Sequence, residues 1–126
     1  MAISAYLRDK LLDHVFKGTA FTQPTNVYMS LHTADPGTTG TSEVTGGSYA
    51  RQSVNTSFAA SASGSKSSNA AVAFAGMPAA TVTYAGFWDA STAGNFLWGE
   101  ILTASKTTAA NDTLNFASGQ ITTTLT

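Results

Sequence analysis

The spacing of hydrophobic residues changes period once along the chain. From Ser4 the apolar residues Leu7, Leu11, Leu12, Val15 and Phe16 recur every three or four positions, while Arg8, Asp9, Lys10 and Asp13 fall largely on the other side. This predicts an amphipathic helix over 4–17, with Ser4 as its N-cap and Gly18 as its stop. A helix this short is marginal alone in water, so its apolar stripe must lie on a sheet core or on a neighbouring subunit. Packing on its own domain, anchored by Leu11 and Val15, is the expectation.

Beyond Pro24 the period becomes two. In "NVYMSLHT" Val27, Met29 and Leu31 alternate with Tyr28, Ser30 and His32, as a strand with one wet face requires. Further strand candidates begin at Tyr49, Asn69, Thr81, Asn95, Asp112 and Gln120, separated by Gly, Asn, Asp and Ser clusters. The aromatics Phe74, Tyr84, Phe87, Trp88, Phe96, Trp98 and Phe116 are available for a shared interior. The predicted fold is mainly β: about seven strands in an antiparallel sandwich or squashed barrel, with one N-terminal helix. A single domain over 1–126 is expected, its β part over 26–126. "SGQ" at 118–120 predicts a tight hairpin between the last two strands.

Two stretches lie outside this pattern. Residues 33–48, "TADPGTTGTSEVTGGS", exceed an ordinary hairpin loop, and 59–71, "AASASGSKSSNAA", are small and polar. Both are expected to be long loops or arms that order against a partner.

Composition narrows the classes. The 126 residues contain no cysteine, which removes disulfides, thiolate zinc sites and cysteine nucleophiles. A net charge of -1 with 10% charged residues gives no basic face for nucleic acid and no polybasic patch for a membrane. No apolar run approaches bilayer-spanning length, and "MAISAYLRDKLLDHVF" carries charges where a signal peptide would be apolar, so a soluble protein without a secretory signal is expected. The weakly charged, Thr- and Ser-rich surface suggests faces that pack against protein.

"SLHTADPG" brings Ser30, His32 and Asp35 close in sequence, the residue types of a hydrolytic triad. Ser30 and His32 would share the polar side of one strand, roughly 7 Å apart along the backbone and too far for a direct hydrogen bond. Asp35 before Pro36 and Gly37 reads as a turn, and no "GxSxG" elbow occurs. His14 and His32 lack a second ligand at metal-binding spacing, and "TGGS" at 45–48 lacks the "GxxxxGK" pattern of a phosphate loop. Glu43, Asp89 and Asp112 fall in loops or turns. Glu100 stands inside the apolar "FLWGEIL", where either an exposed face or a bulge at Gly99 would accommodate it. No enzyme activity, cofactor or metal is expected.

The run "LLDHVFKGTAFTQPTNVYMSLHTADPGTTGTSEVTGGSYARQSV", with "FWDASTAGNFLWGEI" and "NDTLNFASGQITTTL", resembles a family of small tailed-bacteriophage virion proteins often labelled phage tail fibre protein. Its most specific signatures here are "LHTADPG", "GGSYAR" and the "FWDA" to "GN" hairpin. The resemblance implies a non-enzymatic virion component, made in the host bacterial cytoplasm and assembled in many copies with other phage proteins. No internal repeat of a fibre shaft is visible. The leading expectation is therefore a capsid cement or decoration protein that binds the particle through loops, as a homo-oligomer such as a trimer. A tail-attached or tail-fibre-associated module is the alternative, and a carbohydrate-binding sandwich with Trp88 or Trp98 as a stacking platform is a further one. The candidate partner-contact residues are Asp35, Thr38, Thr39, Glu43, Val44, Tyr49, Arg51 and Lys66.

Overall fold

The computed structural model describes residues 2–54 and 58–125. Three positions of the strand candidate that begins at Tyr49, together with Met1 and Thr126, lie outside the described residues. Helix α1 spans Ala5–Leu12 and widens into a π-helical turn over Asp13–Lys17. Its ends follow the expected signals. The Ser4 hydroxyl accepts the Leu7 N–H at 3.0 Å, and Gly18 closes the turn in the left-handed region at φ 75°.

The helix does not pack as its pattern predicts. None of its residues is buried; Leu11 is half-buried, whereas Val15 is 65% and Phe16 82% exposed. Backbone bonding explains this, because the domain holds the start of the segment. Strand β1 (Ala2–Ile3) pairs with Gly99 and Trp98, the Ser4 N–H donates to the Leu97 carbonyl, and the Ala5 N–H donates to that of Thr38.

The strands form a five-stranded sheet in the order β1-β7-β6-β2-β3, where β2 is Tyr28–His32, β3 Gln52–Ser53, β6 Ala80–Trp88 and β7 Phe96–Thr108. Two separate ribbons pair β4 (Ser65–Ser67) with β9 (Thr122–Thr124), and β5 (Val72–Met77) with β8 (Asp112–Phe116). Every pairing is antiparallel. Met29, Leu31, Val82, Ala85 and Phe87 of the large sheet meet Val72, Phe74, Leu114, Phe116 and Ile121 in one buried cluster. The fold is thus a β-sandwich, and among the described residues no barrel closes.

Three strand expectations need correction. Among its described residues the segment from Tyr49 contributes the two residues of β3, while Tyr49 and Arg51 turn their side chains to other partners. Residues 59–71, expected as a long loop or arm, contain β4. A backbone ladder needs no apolar side chains, and hydroxyl pairs such as Ser67 with Thr122 at 3.1 Å reinforce it. The "SGQ" turn forms, with the Gln120 N–H donating to the Ala117 carbonyl, but β8 and β9 part into different ribbons. Buried Ser68 causes the divergence: it takes the N–H groups of Gly119 and Ile121 and draws the chain toward β4.

The β6–β7 hairpin is the one that "FWDA" and "GN" promised. Asp89 accepts both the backbone and the side-chain N–H of Asn95, at 2.7 and 2.8 Å. Immediately after it the register slips between the pairs Trp88↔Phe96 and Phe87↔Trp98, so Leu97 is the extra residue of a bulge. The bulge lies at Leu97, two residues before Gly99, where one of the two alternatives for Glu100 would have put it. It separates Phe96 from Trp98, and Glu100 keeps Trp98 as its neighbour, accepting the indole N–H at 2.8 Å.

Candidate functional site

In a two-layer sandwich, one face of each sheet meets water. Here the outer face of β2 is covered by the chain's own 33–48 loop. Ser30 and His32, the supposed wet positions, are both fully buried. Opposed glycines make the space. A Cβ on Gly86 would lie 2.5 Å from His32 Nε2 and 2.6 Å from Ser30 Oγ, and one on Gly99 would lie 2.7 Å from the ring of buried Pro36. Gly40 brings the loop backbone against Trp88 and Phe96, which touch edge to face at 5.1 Å.

Ser30 and His32 do meet, with Oγ and Nε2 2.7 Å apart. The strand-length separation expected between them is overturned because both side chains lean together over a glycine. The Thr41 carbonyl, 2.7 Å from His32 Nδ1, can only accept, so Nδ1 carries the proton. Nε2 of the neutral ring then accepts from the Ser30 hydroxyl, whose oxygen accepts the Trp88 indole N–H at 2.9 Å. Burial pulls the imidazole below its ordinary value, against the Thr41 carbonyl and the Glu43 carboxylate, which favour its charged form; Arg51 adds to the lowering. This is a serine–histidine pair without access. Asp35 is not its third member: it lies in the exposed turn, where its carboxylate accepts the Gly37 N–H at 2.8 Å.

A second network ties the loop down from outside. Arg51 grips Glu43 with two parallel bonds, Nε to Oε1 at 2.9 Å and Nη2 to Oε2 at 2.8 Å. Its Nη1 donates to the carbonyls of Ala90 and Ala93 in the β6–β7 turn. The Tyr49 hydroxyl donates to Glu43 and accepts the Leu31 N–H. Burial pushes the Glu43 carboxyl up, but the Arg51 and Tyr49 donors outweigh it and hold the group below the usual carboxylate value. The Tyr49 phenol is pushed well above its ordinary value, by burial first.

The candidate contact residues therefore divide. Glu43, Tyr49 and Arg51 form one internal cluster, and Val44 is buried in the core. Asp35, Thr38 and Thr39 are exposed on the outer turn of the loop. Lys66 is remote from them, half-buried on β4, with its ammonium donating to the Ala59 carbonyl. The loop, expected to await a partner, is held by its own domain because its backbone groups are bonded there: the Thr33 N–H to Ser42, Gly40 to Pro36 and Val44 to Leu31.

Sequence reading missed a cleft of about 250 Å³ between the large sheet and the β4–β9 ribbon, walled by Val27, Val54, Phe58, Phe87, Leu97 and Trp98. No sequence feature announces it, because it depends on the Leu97 bulge, which sets Leu97 and Trp98 on the same wall. Trp88 offers no stacking platform, since the Arg51 guanidinium covers its ring at 3.8 Å. Among the described residues no group of three or more His, Asp or Glu could hold a metal ion, and no helix is long and apolar enough to cross a membrane.

No curated protein matches this chain. A protein family does, over residues 2–124, including the covering loop, both networks and the cleft. The chain belongs to the family described as Podophage GP4 fiber I protein gp80, a family of phage fibre proteins.

Proposed function

We propose that this chain is a non-enzymatic structural module of the tail-fibre apparatus of a tailed phage, made in the host cytoplasm and incorporated into the virion beside other phage proteins. The carrying observation is the match of a fibre family across 2–124, which favours the tail-attached reading over the capsid cement expected from the sequence. The inward assignment of Ser30, His32, Glu43 and Arg51 supports a structural role, since each of these chemically capable groups already serves a neighbour within the chain. The outer turn with Asp35, Thr38 and Thr39 is an exposed part of the loop that can meet another virion protein.

Labelling of intact particles with an antibody to this chain, followed by electron microscopy, tests the reading. Label on the tail or its fibres is the expected result. Label over the head lattice would overturn it in favour of a cement protein. Replacing Thr38 and Thr39 together by Arg should reduce incorporation into particles while leaving the isolated chain folded.

A further inference from the structure

The chain carries an apolar knob and an apolar hole that do not meet each other. Leu12, Val15 and Phe16 form one stripe on the helical segment, exposed by 51%, 65% and 82%. The hole is the inter-sheet cleft, and no helix residue lines it. An apolar cavity of about 150 Å³ is enough to take a benzene ring, so the cleft's 250 Å³ accommodates a phenylalanine side chain. Both surfaces would cost free energy if left in water.

We infer that the helical stripe of one copy docks into the inter-sheet cleft of a second copy, with Phe16 as the central anchor. Charge favours this occupant over an unrelated apolar segment. The cleft has a cation, Lys66, on its largely apolar wall. The stripe carries the opposite charge beside its anchor: Asp13, exposed, lies three residues before Phe16. In the docked pair Asp13 faces Lys66 as Phe16 enters the cleft. Knob and hole are different surfaces, so the contact is heterologous and builds a closed ring or an open filament. The inference uses only the chain's own surfaces and holds wherever the protein sits on the virion.

Sedimentation equilibrium of the full chain tests it. The expected result is reversible association that Phe16→Asp weakens by at least about thirtyfold, as for a central aromatic anchor. Far-UV circular dichroism checks that this exposed substitution leaves the fold intact. Asp13→Lys and Lys66→Asp should each weaken association by roughly three- to tenfold, and the double reversal should restore it. If Phe16→Asp unfolds the chain, the reversal pair decides alone. A chain that stays monomeric at millimolar concentration, an association untouched by Phe16→Asp, or a double reversal without recovery would each overturn the inference.

Discussion

Arg51 lies over the indole of Trp88 at 3.8 Å while gripping Glu43 with two parallel hydrogen bonds, and so joins the 33–48 loop to the β6–β7 turn. Side-chain exposures of 9% for Arg51 and 21% for Glu43 place the pair mostly out of water. Removing one member strands the other's charge. Arg51→Ala should therefore cost about 3–5 kcal/mol in urea unfolding, the range for breaking a buried pair. Arg51→Lys keeps the charge but loses the planar fork, and should fall between the two. An Arg51→Ala protein as stable as the parent would mean that the loop is held by its backbone bonds alone.

Acid should loosen the covered face in two stages. In the unfolded chain His32 takes its ordinary value of 6.5, whereas burial lowers it in the folded chain. Below that pH the unfolded chain binds a proton that the folded chain resists, so stability is fully present above about 6.5 and lost as pH falls. Glu43 has a lowered folded value, so its contribution is present above 4.5 and lost as pH drops through the folded value. Melting temperatures across this range should decline first with His32. The His32→Gln variant should lose the first stage.

Gly86→Ala is expected to destabilise by about 1–3 kcal/mol, the usual cost of overpacking. The new methyl would meet His32 and Ser30 within 2.6 Å, and both are held from other sides by Thr41 and Trp88. A melting temperature within error of the parent would show that His32 and Ser30 can shift to make room for the methyl.

Hydrogen exchange on the isolated chain should find the loop protected. The amides of Thr33, Gly40, Thr41 and Val44 each donate to a carbonyl of the same domain, so they should exchange slowly without any partner. Asp35, Thr38 and Thr39 should exchange fast. Uniformly fast exchange over 33–48 would mean that the loop closes only in the particle.

Where local chemistry decides the outcome, the sequence was readable. Ser4, Gly18 and the Asp89–Asn95 hairpin needed only cap and turn rules. The alternation of β2 and the fold class followed from periodicity. The covering layer was not readable, because alternation says which residues share a face and not what lies over it. Ser30 and His32 looked wet since nothing local marked the loop as their roof. The signal was present in the glycines of "YAGFW" and "LWGE", but their pairing across β6 and β7 is known only once the register is. The exposed helix stripe failed for the opposite reason: amphipathicity identifies a surface that wants cover without saying which molecule supplies it.

The roof over β2 also decides where this chain can drift in sequence. In a two-layer sandwich every second strand residue faces water and accepts most substitutions. Here Met29, Ser30, Leu31 and His32 are all buried, so four consecutive positions are constrained, Met29 and Leu31 by the core and Ser30 and His32 by Gly86, Trp88 and the covering loop. Variation is displaced to turn tips such as Gly37 and Gly119, where a side chain would meet nothing within 4 Å. Only their left-handed backbone then restricts the choice, toward glycine and asparagine. Related chains should therefore diverge at their tips while the covered strand stays unchanged.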